Sequence, residues 1–235
     1  KLSKNKTIKK FKDWKKVFDL QNLDAVIIST YHNSLSRILS YSVKKGINSF
    51  VEKPAGTKPN LISKIIKLNK SKKVKIRVGF NHRYHPAIIK AKELINKGFL
   101  GKIMYIRSVY GHGGRLNYNK EWRFKKKLSG GGELIDKGSH LIDLCHYFLG
   151  DLKVVASDLN TFFWKTRLED NCFLILKNHK LCKAFLHSSC TEWKNKFIFE
   201  IFCKYGKIEI SGLGKSYGTE KLILYKMKKK MGKPS

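Results

Sequence analysis

The sequence predicts an α/β domain followed by an α+β domain: a partial parallel sheet, then a C-terminal domain with a large, mostly antiparallel open sheet. Three observations predict it. Between residues 25 and 80 apolar runs of strand length alternate with runs at helical spacing, the grammar of a parallel sheet with right-handed crossovers. Beyond residue 150 the helical spacing disappears and β-rich segments follow one another through short turns. The chain has 235 residues and is 42% apolar, enough for a real core in one or two domains and incompatible with disorder throughout.

Taken in order, Ala25-Val26-Ile27-Ile28 is a short apolar run that reads as a parallel strand buried on both faces. Leu35, Ile38, Leu39 and Val43 mark a helix over 35–45 closed by Gly46, and 47–51 resumes as a strand. Pro59 opens a second helix over 59–69, and 75–80 is the third strand. After Pro86 an amphipathic helix covers 87–97 and ends at Gly98; 103–110 then alternates like an edge strand. One long helix is expected over 132–149, followed by β-segments at 153–163, 171–177, 180–191, 197–203, 207–210 and 222–225. The border falls near 81–86, giving domains of 1–82 and 83–235.

Fifty Lys+Arg against 17 Asp+Glu leave a formal charge of +33, which on its own suggests a polyanion partner. The distribution argues against nucleic acid. Only seven of the cations are Arg, the residue whose planar fork reads bases and phosphates, and Lys is spread along the whole chain in short runs such as Lys125-Lys126-Lys127 and Lys228-Lys229-Lys230. Cys145, Cys172, Cys182, Cys190 and Cys203 are odd in number, lack C-x-x-C spacing and mostly lie in apolar runs, so they read as reduced, buried thiols. No apolar run approaches the ~18 residues of a membrane span. The start, Lys1-Leu2-Ser3-Lys4-Asn5-Lys6, has no signal-peptide core, so a cytoplasmic protein is expected.

In an open parallel sheet ligands bind beyond the carboxyl ends of the strands. Three polar sets stand there: Ser29-Thr30-Tyr31-His32-Asn33, Glu52-Lys53-Pro54, and Asn81-His82-Arg83-Tyr84-His85-Pro86. Lys53 in that position can bind a hydroxyl or carbonyl oxygen, although a surface lysine in a lysine-rich chain is the plainer reading. The densest constellation is Gly130-Gly131-Gly132-Glu133-Leu134-Ile135-Asp136-Lys137-Gly138-Ser139-His140-Leu141-Ile142-Asp143. On a helix Asp136, His140 and Asp143 share one stripe, so a carboxylate can orient an imidazole that moves protons near neutral pH. A structurally satisfied histidine and a metal site are the alternatives, the latter with no second ligand cluster evident. The glycines leave N–H groups able to receive an anion, and Trp122-Arg123 offers a ring face and a fork donor suited to a sugar or phosphate. Gly111-His112-Gly113-Gly114 leads into no amphipathic helix and is rejected as a phosphate loop.

Together, Glu52-Lys53-Pro54, the segment from Gly79 to Pro86, Trp122-Arg123 and Gly130 to His140 resemble the glucose-fructose oxidoreductase, inositol dehydrogenase and rhizopine-catabolism (Gfo/Idh/MocA) family, over nearly the whole chain. The resemblance implies a Rossmann-like NAD(P)-binding domain and an α/β substrate domain whose open sheet forms a homo-oligomer. It also implies hydride transfer between nicotinamide, from NAD or NADP, and a secondary hydroxyl of a sugar, polyol or nucleotide sugar. Lys53, Asp136 and His140 then become the catalytic residues: His140 exchanges the hydroxyl proton, Lys53 steadies charge on oxygen and Asp136 orients the imidazole. Ser29, Thr30, His32, Glu52, Lys53, Asn81, Trp122 and Arg123 become cofactor contacts, and Lys53, Arg83, Tyr84, Asp136 and His140 substrate contacts. Thr30-Tyr31-His32 departs from the family's Thr-Pro-Asn. A glycine-fingerprint βαβ unit needs roughly 30 residues or more, and the stretch before Asp24 holds no Gly-x-Gly-x-x-Gly. The chain is therefore expected to begin inside the dinucleotide domain and to bind cofactor weakly alone. A noncatalytic remnant serving carbohydrate binding or association is the alternative.

Overall fold

The structure, a computed structural model, describes residues 8–227; the opening segment 1–7 and the run Lys228, Lys229, Lys230 lie outside the described residues. The chain divides into two compact units, Lys1–Gly79 and Phe80–Ser235.

In the first unit a 3-10 helix, Trp14–Asp19, is started by Asp13, whose carboxylate accepts the Lys15 N–H at 3.0 Å. Then follow β1 (Ala25–Ile28), α1 (His32–Lys44), β2 (Asn48–Val51), α2 (Pro59–Lys72) and β3 (Ile76–Val78). The strands form a parallel sheet in the order β1-β2-β3. Each boundary has a local cause: Gly46 at φ 76° follows α1, and Pro59 supplies the fixed φ of the first turn of α2. Leu35, Ile38, Leu39 and Val43 of α1 and Ile65 of α2 bury against Val26, Ile28 and Val51. Within this unit the sheet is therefore covered on one face, not on both as the apolar run suggests. Ile27 is 80% exposed and Phe50 also faces outward. A four-residue run cannot distinguish one covered face from two.

The second unit contains α3 (Pro86–Asn96), β4 (Ile103–Gly111), α4 (Lys126–Ser129), α5 (Ser139–Leu149), β5 (Lys153–Asn160), β6 (Asn171–Lys177), β7 (Lys183–Ser189), β8 (Lys196–Cys203), β9 (Gly206–Ser211) and β10 (Lys221–Lys226). The seven strands form one sheet, β10-β9-β8-β4-β7-β6-β5, antiparallel except where β4 runs parallel to β7. Strand β4, expected at an edge, is central. Its alternation arises because one face of the sheet is covered and the other open, and so reports nothing about edges. The core lies between that covered face and the helices, with Ile88 of α3 and Leu141, Leu144 and Cys145 of α5 against Ile106, Phe199 and Ile201. On the open face Phe173 and Phe185 remain exposed.

The long helix expected over 132–149 runs unbroken from 133 to 149, but its first turn is not α-helical. A π-helical turn, Leu134–Gly138, precedes α5. Such turns widen the helix by one residue and are frequent at functional sites. Cys145, Cys172, Cys190 and Cys203 are buried thiols, as the apolar runs predict, whereas Cys182 is only half-buried. Burial raises the Cys172 thiol to about 12 and that of Cys203 to about 11, so both stay protonated.

Candidate active site

In the first unit the carboxyl ends of the strands are tied together. The Glu52 N–H donates to the Ile28 carbonyl at 2.9 Å and the Gly79 N–H to the Val51 carbonyl at 2.8 Å. A methyl group on Gly79 would meet the Glu52 carboxylate at 3.0 Å, so a side chain at 79 would displace that carboxylate. Ser29 and Thr30 are exposed just after β1, whereas His32, read as loop, is buried as the first residue of α1. Glu52 is half-buried, and Lys53 is only 7% exposed, with a cis peptide to Pro54. The site residues expected in this unit therefore cluster at one edge of the sheet, and Lys53 is no surface lysine.

In the second unit Asn81 to Tyr84 form a 3-10 turn. Asn81 holds the ring of His82 through its Oδ1, 3.1 Å from Nδ1. His82 in turn lies against His140, with ring centroids 4.0 Å apart, and Tyr110 and Phe197 close the cage around His82. Aromatic neighbours fix the imidazole plane of His140, which is 6% exposed. Arg83 is gripped bidentately by Asp143, Nε to Oδ2 at 2.7 Å and Nη2 to Oδ1 at 2.6 Å, and its guanidinium lies 5.0 Å from the Tyr147 ring. Tyr84 is exposed.

The glycine run before the π-turn has its N–H groups aimed at an anion, but that anion belongs to the chain. The Glu169 carboxylate accepts from the Gly132 N–H at 2.9 Å and the Leu134 N–H at 3.3 Å, and its carbonyl accepts the Glu133 N–H at 3.1 Å. A methyl on Gly132 would run into that same carbonyl, so glycine here permits close packing.

From this turn a chain of alternating charges extends to the surface. Lys137 Nζ lies 2.9 Å from Glu133 Oε2 and 3.5 Å from Asp136 Oδ2. Asp136 Oδ2 also accepts from Arg123 Nε at 3.2 Å. Arg123 Nη1 reaches Glu121 at 3.4 Å, and Glu121 pairs with Arg115 at 2.6 Å. Arg123 further covers the Trp122 ring at 4.8 Å. Desolvation alone would lower the pKa of Lys137; Glu133 and Asp136 outweigh it and raise the value, so the ammonium stays charged. His112 goes the other way. Burial and the nearby Lys137, Arg115 and Arg123 outweigh Asp136 and lower it to about 3, leaving a neutral ring whose Nδ1 accepts the Gly114 N–H at 2.7 Å.

Sequence reading passed over three members of this site: His82, Glu133 and Lys137. The spacing of four between Glu133 and Lys137 is visible in the sequence, but nothing in the sequence marks that lysine as buried. Among the described residues no group of three or more His, Cys, Asp and Glu is placed to hold a metal ion, and no helix is long and apolar enough to cross a membrane.

Residues 88–209 match the GFO/IDH/MocA C-terminal domain, and residues 1–80 match the oxidoreductase family's NAD-binding Rossmann fold. The chain belongs to the Gfo/Idh/MocA family. It is similar to levoglucosan dehydrogenase of Pseudarthrobacter phenanthrenivorans, 29% identical over 152 residues that cover 64% of this chain and 39% of that protein. To myo-inositol 2-dehydrogenase of Thermotoga maritima it is 26% identical over 145 residues, covering 61% and 41% of the two. Its fold resembles that of levoglucosan dehydrogenase solved with NADH and levoglucosan, with a TM-score of 0.79 at 24% identity over 84% of this chain and 56% of that one. It also resembles the WlbA dehydrogenase of Bordetella pertussis with NADH and UDP-GlcNAcA, with a TM-score of 0.82 at 17% identity over 93% and 63%. The matches thus span less than two thirds of each of these Gfo/Idh/MocA relatives.

Proposed function

We propose that this Gfo/Idh/MocA chain serves an NAD(P)-dependent oxidoreductase acting on a secondary hydroxyl of a sugar, polyol or nucleotide sugar. The observation that carries the reading is burial. Lys53 and His140 are 7% and 6% exposed at the two places where the family motif puts its reacting groups, and water would otherwise keep both.

Bound nicotinamide would supply the hydride chemistry. The exposed Ser29 and Thr30 beyond β1, with Glu52 beyond β2, suit the ribose and nicotinamide end, and His32, Asn81, Trp122 and Arg123 are the further proposed contacts. For the pyrophosphate the first unit offers Gly46, Gly56 and Gly79, none in a strand-to-helix Gly-x-Gly-x-x-Gly turn. His140 takes or returns the hydroxyl proton, its ring plane held by His82. Lys53 steadies the charge that develops on the oxygen, and Asp136 sets the orientation of the imidazole. Of the two proposed substrate contacts in the 3-10 turn, the exposed Tyr84 is available as it stands, whereas Arg83 acts from within its pair with Asp143.

The test is NAD(P)H formation from a panel of sugars and polyols by the wild type and by Lys53→Ala and His140→Ala. Each substitution is expected to lower turnover about a hundredfold or more while leaving the circular dichroism intact. Undiminished turnover in His140→Ala overturns the assignment. Absence of turnover in the wild type favours the noncatalytic reading.

Assembly is part of the same proposal. A second copy covers the open face of the seven-stranded sheet, where Phe173 and Phe185 border an apolar groove of about 510 Å³. Sedimentation as a monomer at micromolar concentration would count against it.

A further inference from the structure

Lysine is the commonest charged residue of this chain, yet among the described residues only two lysines are buried, Lys53 and Lys137. Lys137 has no place in the reaction described above. Stripping an ammonium of water is costly even after the surroundings relax, so a lysine with surface available everywhere is not buried without a compensating partner. Its partners are two carboxylates, Glu133 at 2.9 Å and Asp136 at 3.5 Å. Glu133 is itself buried and receives the Tyr118 hydroxyl at 3.2 Å. Glu133 is thus held on two sides and holds Lys137 in turn.

The π-turn explains how adjacent residues come to share one charge. Glu133 and Lys137 lie four apart along the widened turn, and Lys137 is next to Asp136 in sequence. Gly138 keeps the turn against β7: a methyl there would lie 3.1 Å from the Ser188 hydroxyl and 3.1 Å from Leu134. The ammonium is therefore fixed by packing and not by a flexible surface contact.

We propose that Lys137, anchored by Glu133, is a positioning residue that fixes the Asp136 carboxylate as the charged partner of the acid–histidine pair. The proposal rests on the reading of Asp136 and His140 given above. Within the second unit the groups that face Asp136 include Lys137 in the π-turn, Glu133 just before it, Arg123 in the 3-10 turn Trp122–Phe124, Tyr110 and His112 at the end of β4, Tyr118, and Tyr217 before β10. Lys137 and Arg123 both contact the carboxylate directly, and of the two only Lys137 is buried. Water screens Arg123 more than it screens Lys137, so the buried charge holds Asp136 more firmly.

The experiment is a carbon-13 NMR titration of the Asp136 carboxyl in the full chain, for wild type, Glu133→Gln, Lys137→Met, Lys137→Met/Glu133→Gln and Lys137→Arg. Lys137→Met leaves Glu133 buried without its cation and is expected to lose stability. The double variant removes that penalty and keeps the fold, and Glu133→Gln on its own supplies the reference for losing the neighbouring anion. In the double variant the Asp136 midpoint is expected to lie about one pH unit above that of Glu133→Gln, and Lys137→Arg is expected to keep it near the wild-type value. A midpoint in the folded double variant that matches that of Glu133→Gln overturns the proposal and makes the Glu133–Lys137 pair purely structural. That outcome leaves the roles of Asp136 and His140 intact, since they stand or fall on turnover of His140→Ala.

Discussion

Asp170 provides the most demanding test of how the second unit is held together. Its carboxylate is buried and receives four N–H groups: Phe162 and the Asn171 side chain on Oδ1, each at 2.9 Å, and Phe163 and Trp164 on Oδ2, at 2.8 and 2.9 Å. Asp170→Asn keeps the shape and replaces one oxygen by an NH2 group. Whichever way the amide turns, two N–H groups then face a donor, and the two bonds that survive lose their charge. At about 1–3 kcal/mol for each buried group left unsatisfied, the substitution costs roughly 2–6 kcal/mol.

Burial pushes the Asp170 carboxyl up, but the four N–H groups outweigh it and hold the carboxyl below the usual carboxylate range. The sign follows from linkage. A carboxyl depressed in the native state adds stability that is fully present above the unfolded value of about 4, and that stability is lost as pH falls through the native value. The stability difference between wild type and Asp170→Asn is therefore expected to be full at pH 7 and to shrink progressively below about pH 4.

Hydrogen exchange of the Phe162, Phe163 and Trp164 amides reads the effect locally, and urea unfolding reads it globally. The consequence reaches the site, because Trp164 packs on Tyr118, the residue that donates to Glu133. Unchanged protection of those three amides in Asp170→Asn at pH 7 would refute the reasoning.

Two further outcomes follow from the same geometry. Gly132→Ala is expected to destabilise the second unit by about 2 kcal/mol or more, because its methyl meets the Glu169 carbonyl, which cannot withdraw without freeing the Glu133 N–H; a urea midpoint within error of wild type would contradict this. Arg83→Ala strands the buried Asp143 carboxylate and is expected to cost about 3 kcal/mol in urea unfolding, whereas an arginine that only contacts substrate would leave the midpoint unmoved.

Local order was legible in the sequence because it depends on neighbours a few residues apart. The alternation of strand and helix through α2, the helix stop at Gly46, the proline start of α2 and the succession of β-strands after α5 all follow from periodicity and from what glycine and proline permit. The family motifs were legible for the same reason, being short and colinear. What covers each face was not. Ile27 reads as buried but is exposed, because the side to which α1 and α2 fold is decided by the crossovers and not by the strand's own residues. Strand β4 reads as an edge and is central, because order in a sheet is set by partners some 80 to 100 positions away in the chain.

The candidate site divides along the same line. Asp136 and His140 are visible as a spacing, and Lys53 as a strand-end residue. Which charges each meets is decided by contacts remote in sequence: Glu169 reaches the glycine run from 37 positions away, and Asp143 claims Arg83 from 60. Lysine chemistry is the clearest case. Sequence alone makes all the lysines alike, and only the packing of the π-turn against β7 takes water from Lys137, where an ammonium must find carboxylates.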